Sequence, residues 1–154
     1  MKAYRAEWQL ADQPKEAVAL LRARLKPIKA AEVATVRPLI AQLDSEEVAD
    51  REAGSKALLA LGDAAVPALR QALKGKLSAE QKRRIDQVLA AATASAVLTG
   101  DALRQVRAIS VLERAATPDA LKLLAELAAG NPEARLTREA AAASARVNQI
   151  LRPS

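Results

Sequence analysis

The chain contains no cysteine and no histidine. That removes disulfides, thiolate nucleophiles, imidazole bases and the metal sites built on those two ligands. Phenylalanine is also missing, and Tyr4 and Trp8 are the only aromatics among 154 residues, so stacking platforms for single-stranded nucleic acid are scarce. The five glycines stand apart, which leaves no glycine-rich loop to cradle a phosphate. Ser45, Ser55, Ser78 and Ser110 lack the GxSxG or SxxK surroundings of a hydrolase nucleophile. The longest weakly polar run, the alanine-rich Val88 to Leu98, is too short to cross a bilayer. The opening MKAYRAEWQLADQ is mixed and charged, without the apolar stretch of a signal peptide, so the default expectation is a cytoplasmic chain. These absences predict no enzyme activity, no cofactor, no metal site and no membrane association.

What is present points to helix. Alanine and leucine supply 60 of the 154 residues, and both favour helix and close helix–helix approach. Beta-branched residues are too scattered for a sheet, so the expected fold class is all-α. Length suits one domain over residues 1–154.

The formal charge of +6 is unevenly spread. Counting along the chain, residues 1–31 carry +4, residues 32–62 carry −3, residues 63–92 carry +3 and the remainder +2. An alternating field suits helix-to-helix or protein-to-protein contact better than a continuous phosphate track.

The punctuation predicts about nine helices. The first, 3–11, carries Tyr4 and Trp8 one turn apart. Helix 14–25 follows, with Ala17, Val18, Leu21 and Leu25 on one face, and residues 26–31 form a longer connection. Helix 32–43 contains Pro38, which either kinks it or marks a start near Thr35. Asp44 and Glu47 form a capping-box pattern for helix 45–61, which Gly62 ends. Helix 64–74 stops at Gly75, and Ser78 with Gln81 caps helix 78–96. Thr99 or Asp101 caps 101–116. Thr117-Pro118 opens 118–129, with Leu121, Leu124 and Leu127 inward. Asn131-Pro132 opens the last helix, with Leu136, Ala140, Ala143, Val147 and Ile150 inward. Short connections predict sequential helices as antiparallel neighbours in a stack of hairpins.

The grammar of residues 36–62 and 66–92 resembles the HEAT-repeat superfamily: proline then leucine on a first helix, an acidic or serine break, and an arginine, Arg51 in the first stretch, on a second helix ahead of a closing apolar pair. Nearly the whole chain is similar to the helical region at the C-terminal end of some bacterial WD40-repeat proteins, through AYRAEWQLADQPKEAVALLRARLKP, LIAQLDSEEVADREA and ATPDALKLLAELAAGNPEARLTREA. The resemblance implies a HEAT-like α-solenoid, here an excised or free-standing segment without a propeller, serving protein–protein contact and carrying no catalytic residues. Two positions depart from the pattern. Asp50 stands where an apolar residue is usual and Gly54 where alanine is usual, which marks a looser second helix, a bend or a close helix approach.

Several clusters invite a functional reading. The acids Asp44, Glu46, Glu47, Asp50 and Glu52 read as a helix N-terminus that complements the macrodipole rather than as a metal site. The cations Lys74, Lys76, Lys82, Arg83 and Arg84 are the candidate partner or phosphate contacts, to be joined by Lys26, Lys29 and Arg104 if all share a concave face. Trp8 is either an anchor for a partner or a cap on the end of the stack. Arg51, Arg107 and Arg138 are expected to bridge successive helices, with Asp44 as the preferred mate of Arg51. The leading expectation is a non-enzymatic protein-interaction scaffold, with self-association through end helices as a variant. Sequence-independent nucleic-acid binding along a basic groove is the alternative.

Overall fold

The computed structural model describes residues 13–93 and 100–151, and everything regular among them is helical. Among the described residues there are eight α-helices of the about nine expected: α1 (Pro14–Arg24), α2 (Val33–Gln42), α3 (Val48–Leu61), α4 (Val66–Ala72), α5 (Ala79–Thr93), α6 (Gly100–Ala115), α7 (Pro118–Ala128) and α8 (Arg135–Ile150). A 3-10 turn, Gly62–Ala64, joins α3 to α4. The expected helix 3–11, with Tyr4 and Trp8, lies outside the described residues.

The chain forms two compact units. Residues 29–97 make one, and residues 1–28 with 98–154 make the other. In the discontinuous unit, α1 packs on α6 and α7, and α6, α7 and α8 pack on one another. Ala17, Val18, Leu21 and Leu25 are buried as their spacing predicts, against Leu112, Leu124 and Leu127. Burying such side chains contributes roughly 1.5–3 kcal/mol each, less the entropy of ordering them. Arg22 donates to Glu126 at 2.5 Å between α1 and α7, and Arg146 reaches Glu113 at 2.6 Å and 2.8 Å between α8 and α6. Past α1, the Asn131 amide donates to the Ile28 carbonyl at 2.6 Å. A Cβ on Gly130 would stand 3.0 Å from that same Ile28 oxygen and 2.7 Å from Thr137 Oγ1, so only glycine lets the two segments meet.

The periodicity of this unit is shifted in places. Leu123 is buried beside Leu124 and Leu127, while Leu121 is only half-buried. The last helix starts at Arg135 instead of Pro132, because the Asn131 side chain accepts from the Glu133 amide and closes a turn first. Ile150 is 80% exposed, since nothing packs over the end of α8 among the described residues. Thr117 caps α7 as expected, accepting from the Ala120 amide at 3.2 Å.

The continuous unit holds two helix pairs. Within it α2 packs on α3, and α4 on α5; α2 also touches α4, and α3 touches α5. Val36, Leu43, Leu58, Leu69, Ile85 and Val88 fill the space between them. Pro38 neither starts nor breaks α2, which runs from Val33 through it. Ser78 and Gln81 form the expected reciprocal cap of α5: each backbone amide donates to the other's side-chain oxygen, at 3.0 Å and 3.1 Å. The Gln81 amide nitrogen also donates to the Ile40 carbonyl at 3.2 Å, tying α5 to α2.

The box expected at Asp44 and Glu47 does not form. The helix starts at Val48, with no side-chain cap from Glu47. Ser45 Oγ instead accepts from the Glu47 amide at 3.2 Å, and Asp44 turns away to accept the Ser78 hydroxyl at 2.6 Å. A cross-helix acceptor role has displaced the local one.

Candidate functional site

The acidic break between α2 and α3 is a structural joint. The Arg51 guanidinium donates to the carbonyl oxygens of Ser45 at 2.6 Å and Glu46 at 2.8 Å. Its mate is the exposed backbone of the break, not the Asp44 carboxylate. Asp50 accepts the Ser45 hydroxyl at 3.1 Å. Among the described residues no group of acids is arranged to hold a metal ion.

The basic cluster is divided. Arg83 and Arg84 both reach back along α5 to Glu80, at 2.7 Å and 2.6 Å. Those hydrogen bonds, first from Arg83 and then from Arg84, pull the Glu80 carboxyl down to about 2. Arg84 goes further, donating to Ser55 Oγ at 3.1 Å, while that hydroxyl donates to the Arg51 carbonyl at 2.9 Å. Two of the five cations are therefore engaged within the unit. Lys82 is exposed on α5, and Lys74 and Lys76 are exposed on the connection after α4. Lys29 belongs to the same unit, whereas Lys26 and Arg104 belong to the discontinuous one, where Arg104 is paired with Asp101. Arg107 and Arg138 occupy exposed positions of α6 and α8, and Trp8 lies outside the described residues.

Ser45, Ser55, Ser78 and Ser110 all make structural hydrogen bonds. Ser55 and Ser110 donate to the carbonyl one helical turn back, and Ser45 and Ser78 cap and bind carboxylates. None of these hydroxyls faces a cavity-lining base among the described residues.

The feature that the sequence does not announce is a cleft of about 260 Å³ between α2 and α4. Its walls are Val33, Val36, Arg37 and Ile40 from α2, Ala68, Gln71 and Ala72 from α4, and Gly75 and Leu77 from the connection to α5. It exists because α4 is short and meets α2 through alanines, which leave the larger α2 side chains uncovered. Val33, on this wall, is 48% exposed. Arg37 makes no hydrogen bond or ion pair among the described residues. The one hint in the sequence is that Val33, Val36 and Ile40 make an apolar stripe one step wider than the buried face needs. A second hollow, of about 200 Å³, lies between α3 and α5 at Leu59, Gly62 and Val88.

Apolar walls with one forked cation and one amide can seat a side chain and orient it; they carry no general acid–base pair. No protein family, curated protein or solved structure matches the chain.

Proposed function

We propose that this chain is a non-enzymatic protein-interaction scaffold with HEAT-like hairpins, docking a partner at the cleft between α2 and α4. The observation that carries the proposal is that cleft: an open, largely apolar slot on a helical framework, beside a half-exposed valine. Exposed concave apolar surface of this kind marks binding sites. The hairpin reading is supported by residues 33–93, where first helices α2 and α4 touch, second helices α3 and α5 touch, and Arg51 clamps the intervening break. The packing of α1 on α6 and α7 departs from nearest-neighbour stacking, so the repeat proposal is confined to that unit. The likeness to helical regions of bacterial WD40-repeat proteins fits the same role.

The test is a photo-crosslinking amino acid placed at Val33, with exposed Leu20 of α1 as the comparison site. Adducts specific to Val33, lost when Ala72→Leu fills the cleft, are expected in cells that express the chain. Equal labelling at both sites overturns the docking proposal. Filter binding of a labelled single strand at low and high salt addresses nucleic acid. Tight binding that weakens steeply with salt would transfer the function to Lys74, Lys76 and Lys82.

A further inference from the structure

We infer that the cleft selects an acidic amphipathic segment, an apolar side chain entering between α2 and α4 with a carboxylate held by Arg37; this rests on the docking proposal above. The volume, about 260 Å³, lies below the ~300–1,000 Å³ of sites for cofactors and drug-sized ligands. It suits the side chains of a peptide better than a metabolite. The two flanking helices offer a groove along which a helix can lie, presenting anchors at i and i+3 or i+4.

Charge decides the sign of the ligand. Arg37 lines the slot, and no carboxylate meets it among the described residues. Lys74 and Lys76 flank Gly75, which forms part of the wall, and both are exposed. Three acids lie near in the chain: Glu32 precedes Val33, Asp44 already accepts the Ser78 hydroxyl at 2.6 Å, and Glu80, beyond Leu77, is held by Arg83 and Arg84. Cations therefore outnumber available anions round the slot. A guanidinium beside apolar walls gains most from a carboxylate that can take its fork.

The experiment is a fluorescence-polarisation titration of the whole chain with a labelled amphipathic helical peptide of Leu, Ala and Glu. A second peptide carries Gln in place of every Glu. The Glu peptide is expected to bind about tenfold tighter, the size of one charge-assisted hydrogen bond. Arg37→Gln should erase that ratio, and Ala72→Leu should weaken both peptides about tenfold or more. Equal binding of the two peptides, still lost on Ala72→Leu, overturns acidic selectivity and leaves the docking proposal standing. Binding of neither peptide, or binding indifferent to Ala72→Leu, overturns both. Arg37-dependent binding to phosphatidylglycerol vesicles without peptide binding would replace the peptide by a lipid surface. Arg37 is exposed, so its variant keeps the fold, and circular dichroism checks Ala72→Leu.

Discussion

Arg51 holds Ser45 by its carbonyl oxygen, at 2.6 Å, and takes the Glu46 carbonyl with the same nitrogen at 2.8 Å. The guanidinium thus stands in for the amides that a break between two helices cannot supply to its own carbonyls. Arg51→Ala is expected to lower stability by about 1–2 kcal/mol, measured by urea denaturation. Lysine cannot reproduce the planar donor group, so Arg51→Lys should recover less than half of that. Because the acceptors are neutral carbonyls, the costs of Arg51→Ala and Asp44→Asn should add within about 0.5 kcal/mol. Marked non-additivity would restore the carboxylate as the mate.

Gly54 is buried where α3 crosses α2, and a Cβ there would stand 3.0 Å from both Gln42 Cβ and the Leu39 carbonyl oxygen. Alanine is the better helix former by about 1 kcal/mol, but overpacking costs about 1–3 kcal/mol. Gly54→Ala should therefore destabilise, by about 1 kcal/mol, and Gly54→Leu by considerably more. A gain in melting temperature for the alanine variant would show that the helices are free to part.

Glu80 sets a pH dependence. Its carboxyl falls from 4.5 to about 2 in the folded chain, so between these values the unfolded chain binds more protons. Its contribution is complete above about 4.5 and is lost as pH falls toward 2. Glu113 and Glu126 are lowered by Arg146 and Arg22 and act in the same direction. Glu80→Gln should reduce the melting temperature at pH 7, with the gap to the parent chain closing as the pH approaches 2. A constant gap across that range would contradict the Arg83 and Arg84 contacts.

Thr137 is buried at the start of α8, and its hydroxyl has no hydrogen-bond partner among the described residues. Removing an unsatisfied hydroxyl while keeping the shape relieves its desolvation, so Thr137→Val should stabilise by about 1 kcal/mol. A loss of that size would show that the hydroxyl is satisfied in solution.

Ala116, between α6 and α7, adopts a φ of 47°, a left-handed conformation that costs a non-glycine residue about 1–2 kcal/mol. Ala116→Gly removes that strain but adds freedom to the unfolded chain. A net gain of about 0.5 kcal/mol is expected in chemical denaturation.

Much of the fold was legible because it is local. Proline after a capping residue opened α7, the Ser78–Gln81 pair opened α5, and the spacing of Ala17, Val18, Leu21 and Leu25 named the buried face of α1. Some positions were misread because a competing hydrogen-bond partner took the group. Asp44 left its own helix for Ser78, and Arg51 took carbonyls in place of Asp44. Leu123 rather than Leu121 joined the buried core. The close-approach reading of Gly54 is the one that the contact with Leu39 and Gln42 selects. The cleft was barely legible, since a hollow is set by what a neighbouring helix fails to cover.

Composition and spacing by themselves determined an all-helical chain without thiol or imidazole chemistry, and where most of its helices start and stop. Those properties follow from side-chain entropy, capping and period, which act within a few residues. Only the tertiary structure decided that α1 packs on α6 and α7, that Arg84 reaches from α5 to Ser55 on α3, and that Val33 and Arg37 border an open slot. Such choices depend on which surfaces meet after the chain has folded back, and one-dimensional spacing holds no record of that.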